Sequence, residues 1–306
     1  MMHDRGAPPS ASGLSRYRPI IDDWEAFEAA VQRPLPFVIR TNTLRIDSEA
    51  LLARLTRQQV MVRRTRWSDE LLEVCEPPGR RMEHWLGLYY IQEATQALPV
   101  LALDARPGMQ VLDMCSAPGG KATHIAACMG NRGLLVANEP NGRRQMSLLA
   151  NLNRIGVLMA QVTAFRGENF PLSRSFDRVL VDAPCSAEGT ARKESSVRLG
   201  IAPPVMARLA RQQRRLLLRA FDVLAPGGLL VYSTCTLAPE ENESVVADLL
   251  AQRDARLVAP SLPVTVAPGL TEWNGTRYPP EMTLCRRIYP HHLDSGGGFL
   301  ACIRRA

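Results

Sequence analysis

The 306-residue chain is poor in aromatic side chains, at 6%. Few rings are therefore available as stacking platforms for bases. No apolar run approaches the roughly 20 residues of a membrane span, so no membrane partner is expected. Seven cysteines stand at 75, 115, 128, 185, 235, 285 and 302, and no pair forms a CxxC spacing. An odd number without zinc-like spacing speaks against a disulfide framework and a structural metal. Cys75, Cys128, Cys285 and Cys302 read as buried small hydrophobes. His291 and His292 are adjacent, and neighbours in sequence do not easily face one site, so no metal is expected there. Residues 1–15 are polar and rich in Pro and Ser, with no apolar signal core. They read as a short disordered start in a cytoplasmic protein.

The composition is otherwise that of a globular chain, with 46% hydrophobic and 22% charged residues. Its length is ample for a core that needs no disulfide staples. The charge balance, 37 − 30 = +7, with a pI near 9.3, favours polyanionic partners, nucleic acid foremost.

Residues 16–105 read as a small N-terminal α+β module. Helices are expected around Trp24–Val31, Glu49–Thr56 and Glu93–Leu103. Strands are expected at Phe37–Thr43, Val60–Trp67, Leu71–Val74 and Gly87–Gln92. From residue 106 to 306 the pattern is α/β: Val- and Leu-rich strands alternate with longer helical runs. Expected strands are Gln110–Met114, Gly133–Ala137, Leu158–Phe165, Arg178–Asp182 and Gly228–Ser233. Between them lie helices Gly119–Met129, Asn141–Ile155 and Pro204–Leu224, with Pro239–Gln252 after the last. That alternation predicts a doubly wound parallel sheet. The tail, Ile288 and Phe299–Ile303, reads as antiparallel edge strands.

Ligands of such sheets bind at the carboxyl ends of the strands. The first of them runs into Asp113-Met114-Cys115-Ser116-Ala117-Pro118-Gly119-Gly120-Lys121. The glycine pair lets the backbone pass close to a ligand. Neither GxxxxGK[ST] nor GxGxxG is present, which disfavours a phosphate loop and suits a nucleoside with a charged tail. The second strand ends at Glu139, 18 residues beyond Lys121, placed to accept bonds from ribose hydroxyls. Two further strands end in Asp182-Ala183-Pro184-Cys185-Ser186 and Ser233-Thr234-Cys235-Thr236, which brings two cysteines to the same edge.

The ordered set DMCSAPGGK, ANEP, DAPCS and STCT resembles the Sun family of RNA cytosine-5 methyltransferases. Arg40-Thr41-Asn42-Thr43-Leu44-Arg45 resembles the family's RxNTLR element. Gly87–Ala94 resembles its GxxYxQE element, and Gly298-Phe299 its GFF-like strand. Within the family the chain is most similar to the bacterial small-subunit ribosomal RNA enzyme, without that enzyme's C-terminal extension. The resemblance implies a Rossmann-like methyltransferase sheet and S-adenosylmethionine as cofactor. The implied substrate is RNA, ribosomal first and transfer RNA second; a monomer is expected. It implies that Cys115–Lys121, Glu139, Asp182 and position 166 line the cofactor site.

Carbon 5 of cytosine is too weak a nucleophile to take a methyl group unaided. A thiolate adding to carbon 6 makes carbon 5 enamine-like, and a neighbouring cation such as Lys121 would favour that thiolate. Chemistry alone leaves the choice of cysteine open. The resemblance implies that Cys235 attacks and Cys185 assists release. Asp182 has two available roles, orienting the cofactor's methionine end or bonding the cytosine amine and ring nitrogen. Arg192 and Lys193 are expected to hold a phosphate near a flipped base, and Arg40, Asn42 and Arg45 to extend the RNA surface. The arginines of the helix at 204–224 are expected to be solvated. Two departures stand out. Arg166 occupies the place of the family's adenine-binding Asp, and Arg cannot accept a hydrogen bond. Ala187 replaces the usual Gly after Cys-Ser.

Overall fold

The computed structural model describes residues 13–305. Most of the expected disordered start lies outside the described residues. Residues 13–15, its end, are ordered: Gly13 N–H bonds Arg198 O, and Leu14 is buried.

The N-terminal module comprises α1 (Trp24–Gln32), β1 (Phe37–Thr41), α2 (Ser48–Arg57), β2 (Val62–Thr65), β3 (Ser68–Val74), α3 (Met82–Trp85) and β4 (Tyr89–Ile91). Asp23 and Asp47 cap α1 and α2, accepting from the amides of Ala26 and Ala50 at 2.9 and 2.7 Å. Each satisfies an amide that the first turn leaves without a partner. The four strands form an antiparallel sheet in the order β2-β3-β1-β4. Ile39, Leu51, Leu55, Leu72 and Tyr89 close its core.

The rest is built on α4 (Leu98–Leu103), β5 (Gln110–Asp113), α5 (Gly120–Cys128), β6 (Leu134–Asn138), α6 (Gly142–Ile155), β7 (Ala160–Thr163), β8 (Phe176–Asp182), α7 (Pro203–Asp222), β9 (Leu224–Thr234) and α8 (Glu243–Gln252). Then come β10 (Ala255–Val258), β11 (Ala267–Pro268), the small hairpin β12 (Glu272–Trp273) and β13 (Thr276–Arg277), β14 (Arg286–Ile288), α9 (Pro290–Leu293) and β15 (Gly298–Arg305). The large sheet runs β7-β6-β5-β8-β9-β15-β14-β11, with β10 also pairing β15. Its first five strands are parallel and the last ones antiparallel. Strand order reverses between β5 and β8, the switch point at which such sheets bind ligands.

Three expectations change. The tail is antiparallel, but β15 is an interior strand, because β9 pairs it on one side and β14 and β10 on the other. Its burial follows: Phe299, Leu300, Ala301, Cys302 and Ile303 are all inside. The helix expected from Pro239 begins at Glu243; Glu240 instead bonds Arg16 and Trp273, and Glu241 is buried on the Ser186 amide and Gln213. The segment after β4 is a 3-10 turn (Ala94–Ala97) followed by α4, whose Leu98, Val100 and Leu103 pack into the core of the large sheet.

Candidate active site

The carboxyl ends of β5, β8 and β9 open into a cavity of about 540 Å³. The β5–α5 loop contributes Cys115, Ser116, Ala117, Pro118, Gly120 and Lys121, β8 ends in Asp182, and Cys235 follows β9. The N-terminal module covers the other side with Phe37, Tyr90 and Gln92, and the segment after β4 adds Glu93 and Gln96. Gly119 turns the loop with φ +107°, where a Cβ would sit 3.1 Å from Leu148 Cδ1. Gly120 lies against Tyr90, and a Cβ there would sit 3.2 Å from the ring.

Two pairs define the site. Lys121 Nζ lies 2.7 Å from Asp182 Oδ2 and also donates to Gln96 Oε1. Ser233 Oγ donates to Asp182 Oδ1 at 3.0 Å. The second pair is Cys185 and Cys235, with Sγ atoms 3.1 Å apart, and the Cys235 amide donates to Cys185 Sγ at 3.3 Å. The hydrogen bond from Cys185 holds the Cys235 thiol below its ordinary pKa; Lys121 adds to the effect, while burial and Asp182 oppose it. Cys185 is pushed well up, first by that same bond and then by burial. The pair is thus polarised, with charge favoured on Cys235 and the proton on Cys185.

Buried bonds hold both cysteine loops. Glu241 Oε2 accepts from the Ser186 amide at 3.0 Å and from Gln213 Nε2 at 2.7 Å, while Gln213 also donates to Pro184 O. Ser186 and Thr236 hydroxyls meet at 2.7 Å, and Glu188 accepts from Tyr17 and Thr236. Arg287 and Glu243 form a buried bidentate pair, with Arg287 Nη1 reaching Leu237 O at 2.9 Å. Beneath the β5–α5 loop, Asp113 is fully buried. Its Oδ2 accepts from Ser116 Oγ at 2.9 Å and its Oδ1 has no partner. Burial pushes its carboxyl up to about 7.

Other residues singled out in the sequence are placed differently. Glu139 directly follows β6, but its oxygens accept from the Asn141 amide at 2.9 Å and pair with Arg144 at 3.0 Å, and it is outside the cavity lining. Arg166 is also outside that lining, exposed, and 3.7 Å from Glu168. Arg40 and Asn42 do not extend an RNA surface, as both are 1% exposed. Arg40 donates to Gln92, to Gly120 O and to Thr123, and Asn42 to Gly87 O and Ile155 O. Arg45 remains exposed yet also reaches Ile155 O, at 3.2 Å. Ile155 ends α6, where carbonyls lack helical partners, so this element ties the two sheets together. Arg192 is likewise buried, on Arg33 O, Pro34 O and Ser295 O, and paired with Asp294 at 2.8 Å. Lys193 is exposed and lines the cavity.

On α7 the arginines divide. Arg208, Arg211 and Arg215 are exposed, whereas Arg214 pairs with Asp248 and Arg219 donates to Glu168 O. Cys75 and Cys128 are exposed rather than buried, since one follows β3 and the other ends α5. His291 and His292, expected not to share a site, do face one carboxylate: their Nε2 atoms lie 3.0 and 3.1 Å from Asp22 oxygens. The Tyr289 amide donates to His292 Nδ1 at 3.3 Å, which assigns the ring's proton to Nε2 for donation to Asp22. Tyr90, Glu93 and Gln96 were given no site role in the sequence; the GxxYxQE element was the signal for Tyr90 and Glu93, and Gln96 lies just beyond it. No helix among the described residues is long and apolar enough to cross a membrane.

A family model described as 16S rRNA methyltransferase RsmB/F matches residues 100–304. One described as the N-terminal domain of 16S rRNA methyltransferase RsmF matches residues 14–94. The 26S rRNA (cytosine-C(5))-methyltransferase nsun-1 of Caenorhabditis elegans is 40% identical over 91% of this chain, which spans 43% of that protein. The ribosomal RNA small subunit methyltransferase F of Enterobacter sp. is 40% identical over 92% of this chain and 59% of its own length. The tRNA (cytosine(49)-C(5))-methyltransferase of Pyrococcus abyssi is 38% identical over 93% of both chains. A crystal structure of a methyltransferase homolog protein from Pyrococcus horikoshii superposes with a TM-score of 0.80 at 32% identity, covering 98% of this chain and all of that one. NSun6 from the same organism shares the fold, with a TM-score of 0.83 at 22% identity over 97% and 98% of the two chains. The chain therefore belongs to the RsmB/F methyltransferase family, matched in sequence across both of its sheets.

Proposed function

We propose that this protein transfers a methyl group from S-adenosylmethionine to carbon 5 of a cytosine in RNA, through a covalent adduct on Cys235. The observation that carries the reading is the polarised pair, Cys185 and Cys235 with sulfurs 3.1 Å apart, at the switch point of a doubly wound sheet. Cys235 lines the cavity beside Lys121 and Asp182.

The residues present fit the cofactor. The cavity is within the usual range of small-molecule sites, roughly 300–1,000 Å³. Lys121 and Asp182 offer both signs of charge to an amino-acid tail, and Asp113 Oδ1 is a buried acceptor without a partner beneath the loop. Cys115–Lys121 would hold it, with Asp182 at its charged end. Bound there, S-adenosylmethionine supplies an electrophilic sulfonium methyl.

The chain's own groups do the rest. The Cys235 thiolate adds to carbon 6, forming a C–S bond and moving electron density onto carbon 5. Lys121 stabilises that thiolate before attack. Carbon 5 gains the methyl and then loses its proton to a base. The C–S electrons return to Cys235 as the ring double bond re-forms, and Cys185, holding the proton at the neighbouring sulfur, assists this release. Lys193, exposed at the cavity rim, would hold a phosphate, with Arg45 farther along the N-terminal module. The adenine amino group must find an acceptor other than Arg166, and calorimetry of cofactor binding to the parent chain and Arg166→Asp measures what that costs.

Ribosomal RNA is the first substrate class, in keeping with the family models. Transfer RNA is the second reading, favoured by the match to the Pyrococcus abyssi enzyme over 93% of both chains. The reading carries over a metal-free monomer acting in the cytoplasm, which native mass spectrometry and metal analysis would check in part. The deciding experiment offers labelled S-adenosylmethionine with separate pools of ribosomal RNA, ribosomal subunits, transfer RNA and DNA. Label recovered as 5-methylcytosine from one RNA pool supports the proposal. Cofactor binding without label in any pool would replace it with a catalytically silent RNA-binding assembly factor.

A further inference from the structure

The two sulfurs that serve the proposed reaction are also placed for a reaction with each other. Their separation, 3.1 Å, leaves about 1 Å to close before reaching disulfide bond length. We propose that Cys185 and Cys235 form a reversible oxidation site for hydroperoxides, with Cys235 the sulfur first oxidised and Cys185 the sulfur that resolves it. The bond itself rests on the sulfur geometry; only its effect on turnover rests on the function proposed above.

The chemistry balances in two steps. The Cys235 thiolate attacks the terminal oxygen of a hydroperoxide, the O–O bond breaks, and hydroxide or alkoxide leaves. Sulfur is oxidised to sulfenic acid, Cys235–SOH, and the peroxide is reduced. The Cys185 thiol then attacks that sulfur and gives up its proton as it does so. The S–S bond forms, the S–O bond breaks, and the departing hydroxide takes up the thiol proton as water. A small thiol reverses the process by two exchange steps.

Several features favour this pair over the other five cysteines. Cys235 lines the open cavity, so a small peroxide reaches it. Its thiolate is favoured by Cys185 and Lys121, whereas Cys115, Cys285 and Cys302 are pushed toward the thiol by burial. An accessible thiolate beside a resolving thiol is the arrangement that stops oxidation at the disulfide. Glu241, Gln213 and Arg287 pin the two loops, so the sulfurs stay adjacent without substrate. Closing the bond would also remove the attacking sulfur from the cavity.

The test uses the full chain, reduced, freed of reductant and titrated with hydrogen peroxide. Peptide mapping without reduction is expected to show a Cys185–Cys235 link with the loss of two free thiols of the seven. Methyl transfer should fall in step with the linked fraction and return on adding dithiothreitol. Cys128→Ser should leave the link unchanged. In Cys185→Ala, a sulfenic acid at Cys235 should persist and be trapped by dimedone. Exposed cysteines oxidising before Cys235, or Cys235 passing to sulfinic acid without a link to Cys185, would overturn the proposal. Linkage in a chain that methylates no RNA would sink the functional reading alone. Methyl transfer that peroxide leaves intact would sink this one alone.

Discussion

Cys185 Sγ lies 3.1 Å from Cys235 Sγ across 50 residues of sequence, each at the carboxyl end of one of two adjacent parallel strands. If the two divide attack and release between them, their alanine variants must fail differently. Cys235→Ala should lose methyl transfer to below detection while its thermal midpoint stays near that of the parent. Cys185→Ala should instead accumulate protein joined to RNA, seen as a slow band on a denaturing gel with active cofactor. No slow band would remove Cys185 from the release step.

The same contact sets a pH dependence. The Cys185 bond is the largest influence holding Cys235 below an ordinary thiol, with a smaller one from Lys121. Removing either should favour the thiol and raise the pH at which Cys235 becomes reactive. Iodoacetamide labelling of Cys235, followed by mass spectrometry from pH 5 to 10, should show an alkaline shift in Cys185→Ala. Lys121→Met should show a smaller shift in the same direction.

Arg40 and Lys193 should separate structural from RNA-facing charge. Arg40 is buried and its guanidinium joins β1 to the start of α5. Arg40→Leu should lower stability by roughly 2–4 kcal/mol in urea unfolding, because Gly120 O loses a charged donor and Gln92 its partner. Lys193→Ala should leave stability unchanged and weaken RNA binding. Its slope of log affinity against log salt should fall by about 0.7–0.9 if one phosphate contact is lost.

Asp113 ties stability to pH in the opposite sense from a salt-bridged acid. Burial raises it from 3.8 to about 7. Between those values the folded chain holds a proton that the unfolded chain releases, so stability falls as pH rises through that window. The cost is greatest above about pH 7. Asp113→Asn should therefore gain stability over the parent progressively from pH 4 to 8, with an upper bound of about 4 kcal/mol. An equal gain at pH 4 and pH 8 would show that the carboxyl is not the group responsible.

Ala187 sits in the left-handed region, at φ +61° and ψ +21°. An L-residue there carries roughly 1–2 kcal/mol of strain. Ala187→Gly removes it and loses roughly 0.5–1 kcal/mol to chain entropy, for a net gain of up to about 1.5 kcal/mol by urea unfolding. Ala187→Val should lose more than that.

Much was legible without coordinates because its cause is local in the chain. The change from the mixed N-terminal pattern to alternating strands and helices marks two sheets. The motifs DMCSAPGGK, DAPCS and STCT each follow a strand, so a parallel sheet must bring their ends to one edge. Tertiary packing decided what surrounds them. RxNTLR read as surface charge, yet Arg40 and Asn42 are buried because a second sheet and the carboxyl end of α6 pack on them, and those carbonyls need donors. Glu241 falls in the first turn of the helix expected from Pro239, but the Ser186 amide and Gln213 draw it inside. His291 and His292 turn to one carboxylate because the segment carrying Asp22 returns beside α9. Strand ends and turn residues follow from nearby sequence. Whether a charge is solvated, which carbonyl it satisfies and which sulfur it meets depend on residues far away in the chain, and only the folded backbone brings them within hydrogen-bonding distance.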